Sequence, residues 1–174
     1  MHRRAIVAGL AALPLLAAAA PARALVAPRV RTLSFRHLHT EERLSITYFK
    51  DGEYVLRALA SIDHLLRDFR TGDVRPIDPA LLDTLHALAG LLGKQTFEVI
   101  CGYRSPATNS WLRKHGEGVS SNSLHLQGRA IDVRLAGLPI SRLRDAAVAL
   151  ARGGVGYYPA SDFVHLDTGR LRRW

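Results

Sequence analysis

Two histidines and an aspartate in the C-terminal half of the chain have the types and spacing of a metal site. His125 and Asp132 lie seven residues apart, and His165 follows in a second short run with strand character. Imidazole nitrogens and a carboxylate oxygen are a suitable ligand set for zinc, with the fourth tetrahedral position left to water. Zinc lowers the pKa of that water towards 7 and polarises a carbonyl, so the chemistry that these residues predict is hydrolysis.

The spacing of His125 and Asp132 requires a turn between them. In one straight strand, residues seven apart would lie on opposite faces and about 23 Å from each other. Gly128 is the residue between them that permits the chain to turn. After it, Ile131, Val133 and Leu135 share one strand face and Ala130, Asp132 and Arg134 share the other.

The run from Asp162 to Asp167 alternates in the same way. Val164 and Leu166 are expected in the core, while Phe163, His165 and Asp167 share the opposite face. We therefore predict that two neighbouring strands bring His125, Asp132 and His165 to one point.

The elements that must position these residues predict an α+β fold. Strand-type residues at 30–35 and 44–49 flank a polar turn, which predicts a hairpin. Apolar residues at three-four spacing predict helices over 56–69, after Asp78 up to Gly93, and over 141–152. Further strands are predicted at 96–101, 129–135, 155–158 and 163–167, and Gly102–Ser123 is predicted to be one long polar loop beside the cleft. Helices before a mostly antiparallel sheet indicate α+β, with the N-terminal helices packed on one face.

Residues 1–24 have the layout of an export signal. A basic head with Arg3 and Arg4 precedes an apolar stretch, and small residues lead to a predicted cleavage after Ala24. The arginine pair raises the alternative of twin-arginine export. The stretch is too short and too rich in alanine for a membrane span. Residues 25–174 are then predicted to form one domain, exported to the periplasm or cell envelope.

The net charge restricts the class of binding partner, and the cysteine content restricts the types of metal ligand. The formal charge of +9 becomes +6 without Arg3, Arg4 and Arg23, which suits a polyanionic cell wall. The sequence contains no basic stripe with interleaved aromatic residues, so no nucleic-acid partner is predicted. The single cysteine, Cys101, excludes an intrachain disulfide and thiolate metal sites, and is expected to be a small core residue.

The motif around the candidate ligands resembles a known family. The pattern Ser-x-His-x-x-Gly-x-Ala-x-Asp at Ser123–Asp132, with a later strand carrying His165, is similar to the zinc D-alanyl-D-alanine metallopeptidases of the hedgehog/D,D-peptidase fold. The tail from Gly154 to Trp174 most resembles the murein endopeptidase K-like branch. The resemblance covers about residues 30–174.

The resemblance implies a function and further roles. It implies one zinc ion per chain on His125, Asp132 and His165, and hydrolysis of an amide bond in peptidoglycan stem peptides or cross-links. It also implies that Arg104, in Gly102–Pro106, binds the substrate; a guanidinium there would clamp a carboxylate or stabilise an oxyanion. Ser123 is predicted to bond the substrate or to orient His125.

The general base has two candidates. Relatives in the superfamily carry an acid three residues before the last ligand, and Asp162 has that spacing before His165. Asp167, on the same face as His165, is the alternative, either as the base or as a partner that orients the ligand.

Two further predictions accompany that of a zinc peptidase. A cell-wall-binding module that keeps the fold and the metal without turnover is the alternative function. The remaining histidines, including His37 and His39 on one strand face, are predicted to be structural.

Overall fold

The computed structural model describes residues 30–93, 96–116 and 119–174. The predicted export signal, residues 1–24, lies outside the described residues. Within these ranges the strands are β1 (Val30–His37), β2 (Arg43–Lys50), β3 (Glu53–Tyr54), β4 (Thr96–Cys101), β5 (Ala130–Leu135), β6 (Gly154–Tyr158), β7 (Phe163–Asp167) and β8 (Arg172–Arg173). The α-helices are α1 (Leu56–Leu65), α2 (Pro79–Leu92), α3 (Pro106–His115) and α4 (Ile140–Leu150).

All eight of these strands form one sheet in the order β3-β2-β1-β4-β5-β7-β6-β8. The pairings of β1 with β4 and of β6 with β8 are parallel, and the other five are antiparallel. The predicted α+β class and mostly antiparallel sheet are therefore confirmed. Strands β5 and β7, which carry the candidate ligands Asp132 and His165, lie next to β4 at the centre of the sheet.

Helices α1, α2 and α4 cover one face of the sheet and leave the other to the candidate site. Helix α1 packs on β2, α2 on β1 and α4, and α4 on β5, β6 and β7. Their apolar sides join the inward residues of the strands in a single core, which includes Ile62, Leu85, Leu143, Phe35, Phe97, Ile131, Val133, Val164 and Leu166. Burial of this apolar area is the main term that stabilises the fold. In the described part of the chain, no helix combines the length and apolarity needed to cross a membrane.

The predicted hairpin and the helix after Asp78 are both confirmed. Strands β1 and β2 pair antiparallel, and the Asp78 side chain accepts the Ala80 N–H at the start of α2. One carboxylate joins the two elements: Asp83 of α2 accepts hydrogen bonds from Tyr48 at 2.9 Å and Tyr54 at 2.8 Å, and pairs with Arg31 at 2.6 Å. Asp83 thereby fixes the hairpin against the helix layer.

Helix α1 ends four residues before its predicted end at Phe69 because the next segment makes tertiary contacts instead. The Asp68 carboxylate, 2% exposed, accepts the Ser105 N–H at 2.8 Å and the Arg70 N–H at 2.9 Å. The Asp68 backbone N–H donates to Asp73 at 3.0 Å, which closes a turn rather than another helical turn. Helix periodicity in the sequence does not reveal such a long-range acceptor.

The prediction of one long loop over Gly102–Ser123 is wrong in one respect, because α3 lies within it. Ser105 caps this helix by accepting the Thr108 N–H at 3.2 Å, and Pro106 occupies its first turn. Both are start signals that the sequence contains. The basic residues of its last turn, Arg113, Lys114 and His115, complement the helix dipole.

A buried histidine lies under the hairpin turn. His37 is fully buried, its Nδ1 accepts the His39 N–H at 3.2 Å, and its Nε2 has no hydrogen-bond partner. Burial, together with the nearby positive charges of His39 and Arg67, lowers the pKa of His37 to about 4. The neutral imidazole is therefore the form that the fold accommodates.

We predict that His37 makes the folded state lose stability in mild acid. The unfolded chain protonates this group near its ordinary pKa of 6.5 and the folded protein only near 4. Its contribution is therefore fully present above pH 6.5 and is lost as the pH falls towards 4. Between pH 7.5 and 5 this amounts to about 2 kcal/mol of unfolding free energy, measurable by urea denaturation.

The matched variants are His37→Asn, which cannot titrate, and His64→Asn, the same change at an exposed position. His37→Asn should lose that part of the pH dependence, and His64→Asn should keep it. Equal pH dependence in wild type and His37→Asn would contradict the assignment.

Candidate metal centre

Asp132 and His165 face each other directly across the central strands. They are paired in the register of β5 and β7, and His165 Nδ1 lies 2.8 Å from Asp132 Oδ1. Ile131 and Val133 on one side of β5, with Val164 and Leu166 on β7, enter the core instead. The predicted division of both strands into a core face and a site face is confirmed.

His125 reaches the same point from a short 3-10 turn, Leu124–Gln127, rather than from a strand. Gly128 ends this turn with φ +67°, and a Cβ there would collide with the Pro76 carbonyl oxygen. The predicted reversal at Gly128 is thus confirmed, whereas the prediction that His125 lies on a strand is wrong. Ser123 precedes the turn, and its Oγ accepts the His125 N–H at 3.4 Å, so it orients the segment that carries His125.

The inner atoms of the three residues are spaced like ligands of one small ion. His125 Nε2 is 3.2 Å from Asp132 Oδ1 and 3.2 Å from His165 Nδ1, and the third separation is the 2.8 Å already given. Ligand atoms around tetrahedral zinc lie about 3.3 Å apart, since the bonds are about 2.0–2.2 Å long. The donor spacing therefore fits a zinc-sized cation.

The outer nitrogens of both imidazoles have acceptors, which determines the direction of the inner lone pairs. His125 Nδ1 is 2.7 Å from the Gly102 carbonyl oxygen, and His165 Nε2 is 3.0 Å from Asp167 Oδ2. These oxygens only accept, so each outer nitrogen donates, and the inner nitrogen of each ring is the one that can present a lone pair to a cation. Two lone pairs and a carboxylate oxygen therefore converge, as a cation requires.

The electrostatics favour positive charge at the same place. Burial opposes the charged forms of His125 and Asp132, but their mutual attraction outweighs it, so the pKa of His125 is raised to about 10 and that of Asp132 is lowered below its usual range. Both side chains are almost fully buried, at 2% and 6% exposure. A divalent cation would supply this positive charge with release of a proton.

Cys101 also faces this cluster, contrary to the expectation of a core residue that leaves no thiol at a metal site. Val99 pairs with Val133 and Cys101 with Asp132, so a bulge at Ile100 turns the thiol to the site face. The sulfur, a His125 nitrogen and an Asp132 oxygen lie within 4.8 Å of one another, as atoms that could hold a metal ion. A bulge is not visible in the alternation of residue types.

Arg104 lies beside the cluster with its side chain 13% exposed. Its Nη2 is 3.8 Å from Asp132 Oδ2 and 3.6 Å from the Cys101 sulfur, and its Nη1 is 3.4 Å from Asn109 Oδ1. The Arg104 N–H donates to the His125 carbonyl at 3.2 Å, and its buried Nε has no partner. The guanidinium is thus held next to the inner atoms with donors that the protein does not satisfy.

The two candidate bases occupy different environments. Asp162, with φ +52° at the end of a short turn, pairs with Arg134 at 2.7 Å and has a 60% exposed side chain. The structure does not bring it to the cavity that contains the three inner atoms. Asp167 is buried behind His165, and its oxygens also accept from Arg172 at 2.7 Å and from two backbone N–H groups.

The charge state of Asp167 matches a role in orienting His165. Burial disfavours its ionised form, but hydrogen bonds from His165 and from the Gly169 and Gly154 N–H groups lower the pKa of Asp167 to about 2. It is therefore a carboxylate that holds the His165 ring from behind.

A cavity of about 700 Å³ opens on the cluster. The segment after β4 forms one side of it, as predicted for that segment, through Leu112, Gly116, Val119, Ser120, Asn122 and Ser123. Among the described residues that line it, Asp132 is the single carboxylate, whereas Arg70, Arg104 and Arg172 contribute guanidinium groups. The cavity therefore suits an anionic substrate.

An aromatic group, which sequence reasoning did not assign to the site, closes the other side. The Trp174 ring lies 5.3 Å from the His165 ring, and its Nε1 donates to the Tyr158 hydroxyl at 2.8 Å. Gly156 leaves room for it, because a Cβ there would lie 2.7 Å from the Trp174 ring. His39, predicted to be structural, also lines the cavity.

Known proteins are similar to this chain over most of its length. The family model described as peptidoglycan L,D-endopeptidase MepK matches residues 25–174. The peptidoglycan L,D-endopeptidase MepK of Escherichia coli (strain K12) is 43% identical over 151 residues, 86% of this chain and 83% of that protein. The probable peptidoglycan L,D-endopeptidase MepK of Haemophilus influenzae is 43% identical over 149 residues, 84% of this chain and 80% of that protein.

We predict that Asp167→Asn weakens zinc binding about 10- to 100-fold, because it removes the negative acceptor that fixes the His165 ring. The dissociation constant would be measured by competition with a chromophoric chelator at constant pH. Asp162→Asn is the matched control and should change it less than twofold. Equal effects of the two variants would contradict the assignment of Asp167.

Proposed function

This chain belongs to the family of peptidoglycan L,D-endopeptidases and is a cell-wall peptidase, and we propose that it hydrolyses an L,D-amide bond in peptidoglycan cross-links or stem peptides with one zinc ion per chain. The observation that carries the proposal is the convergence of His125 Nε2, Asp132 Oδ1 and His165 Nδ1 at separations of 2.8–3.2 Å. The L,D bond follows the names of the relatives.

The three proposed protein ligands leave the fourth position of the ion to water. His125, Asp132 and His165 would hold the ion, and when bound it would polarise the scissile carbonyl and lower the pKa of water. The second nitrogen of each imidazole is already bonded to Gly102 or Asp167, so the rings are held before the substrate arrives. Such preorganisation reduces what the protein must rearrange during reaction.

Arg104 supports the reaction from beside the ligands. Its side chain is largely buried, and the unpartnered Nε and weakly bonded Nη groups keep donor capacity for a substrate oxygen. A guanidinium in this position stabilises negative charge that develops on the scissile carbonyl oxygen, or clamps a carboxylate next to it. This is the role that we propose for Arg104.

We propose that Asp167 positions His165. Neither Asp162 nor Asp167 is assigned as the group that accepts the proton of the attacking water. Both Asp167 oxygens are occupied by His165, Arg172 and backbone donors. Asp162 is paired with Arg134 and lines a different pocket. We expect Asp162→Asn to retain wild-type kcat/KM within about threefold, as surface substitutions usually do.

The cellular setting is part of the same proposal. The pattern of residues 1–24 supports export to the periplasm or envelope, where peptidoglycan is the substrate and nucleic acid is not a partner. The formal charge of +6 that remains without Arg3, Arg4 and Arg23 suits the anionic cell wall. The family membership favours the peptidase over the alternative of a wall-binding module without turnover.

Hydrolysis of purified muropeptides, followed by liquid chromatography and mass spectrometry, tests the proposal. Zinc-replete protein should release products of one L,D-amide cleavage, and chelator should abolish the activity until zinc is restored. His125→Ala should lower kcat/KM by about 10³-fold or more, because the ion contributes several kcal/mol to the transition state. A zinc-replete protein that cleaves no muropeptide, or a His125→Ala variant as active as wild type, would refute it.

Arg104→Gln should lower kcat/KM by about 10²- to 10³-fold, the usual loss of one donor to a developing oxyanion. Zinc affinity should stay within about threefold of wild type, since Arg104 contributes no atom to the ligand set. Arg113→Gln, an exposed arginine on α3 outside the cavity, is the control. Loss of zinc in Arg104→Gln would indicate a structural role instead.

A further inference from the structure

The cavity extends past the metal centre to a cationic group that the proposed reaction does not use. Arg70, Phe69 and His39, here called the Arg70 column, stack on one another at this end. The Arg70 guanidinium lies 4.2 Å from the Phe69 ring centroid, and the Phe69 ring stacks on His39 at 4.1 Å and 12°. Arg70 and His39 both line the cavity that contains His125 and Asp132.

The charge of Arg70 is not compensated within the described structure, unlike that of the other two cavity arginines. Arg172 pairs with buried Asp167 at 2.7 Å, and Arg104 lies 3.8 Å from Asp132. No carboxylate of the described residues lies within salt-bridge distance of Arg70. Arg70, an exposed residue, therefore offers a free planar donor group at the wall of the substrate cavity.

Arg70 is also held in place, as a binding residue must be. Its backbone N–H donates to Asp68 Oδ1 at 2.9 Å, while Asp68 Oδ2 accepts the Ser105 N–H at 2.8 Å. Asp68 is 2% exposed. One buried carboxylate thus fixes the backbone at Arg70 and the residue that follows Arg104, so the two cavity cations are positioned together.

The sheet order separates the base of the column, His39, from the strand that carries Asp132. His39 follows β1, which lies two strands from β5 in the order β1-β4-β5. Two strand spacings are about 10 Å, and an extended peptide covers this distance in about three residues. A ligand of the Arg70 column is therefore a group remote from the scissile amide.

We infer that the Arg70 column is a second substrate subsite that binds a free carboxylate of the stem peptide, at a position remote from the scissile bond. The inference rests on the proposed function and specifies its substrate further. A guanidinium with two free edges binds a carboxylate in a bidentate manner. The Phe69 face, stacked on the His39 ring, keeps Arg70 in the orientation that presents it to the cavity.

The test measures cleavage of synthetic muropeptide dimers in which one carboxylate at a time is replaced by a primary amide. On the unmodified dimer, Arg70→Gln should raise KM about 10- to 100-fold with kcat within about twofold, because a charged hydrogen-bonded pair is lost in binding alone. For one amidated dimer, the kcat/KM of the wild type should fall to the value that Arg70→Gln shows on the unmodified dimer. The kcat/KM of Arg70→Gln should not fall further on that amidated dimer. This coupling identifies the carboxylate that Arg70 contacts.

Arg75→Gln is the matched control, an exposed arginine of the same segment that does not line the cavity. It should behave as wild type on every dimer. Equal KM for Arg70→Gln and wild type would overturn the subsite, as would a loss of the same size on all dimers, which indicates a structural effect. Calorimetric binding of the dimers to zinc-free protein gives a readout without turnover, so failure of the peptidase proposal remains distinguishable from failure of the subsite.

Discussion

The pairing of Asp132 with His165 across β5 and β7 is the constraint on which the site depends. This register places the two side chains 2.8 Å apart on the face opposite the core. A shift of β7 by one residue against β5 would turn His165 into the apolar layer under α4, where a charge has no partner. The packing of Val133 and Val164 on the other face therefore also fixes the metal centre.

Burying so many polar atoms in one place is costly unless every one has a partner. The side chains of His125, Asp132 and His165 meet this requirement in two layers. The inner layer is the three converging atoms, which a cation would neutralise. The outer layer is the Gly102 carbonyl, which accepts from His125, and Asp167, which accepts from His165 and is itself compensated by Arg172 and backbone N–H groups.

Two segments far apart in the sequence convert this centre into a cleft. On one side, the buried Asp68 joins the turn after α1 to the start of α3, which fixes Arg70 and Arg104 relative to each other. On the other side, Trp174 packs over Gly156 next to His165. The cleft thus has Arg70 and Arg104 at one end and Trp174 with Arg172 at the other, and its charge favours a substrate that brings carboxylates.

The sequence by itself determined the α+β class, most strands, the caps of α2, and the division of β5 and β7 into two faces, because these depend on local periodicity and on turn residues such as Gly128. Only the tertiary structure decided which polar groups meet. The bulge that turns Cys101 to the site, the acceptor Asp68 that ends α1 early, and the ion pair that draws Asp162 away all depend on contacts between distant segments. Residue spacing along the chain does not predict such contacts, because the partners are distant in the sequence and meet only when the chain folds.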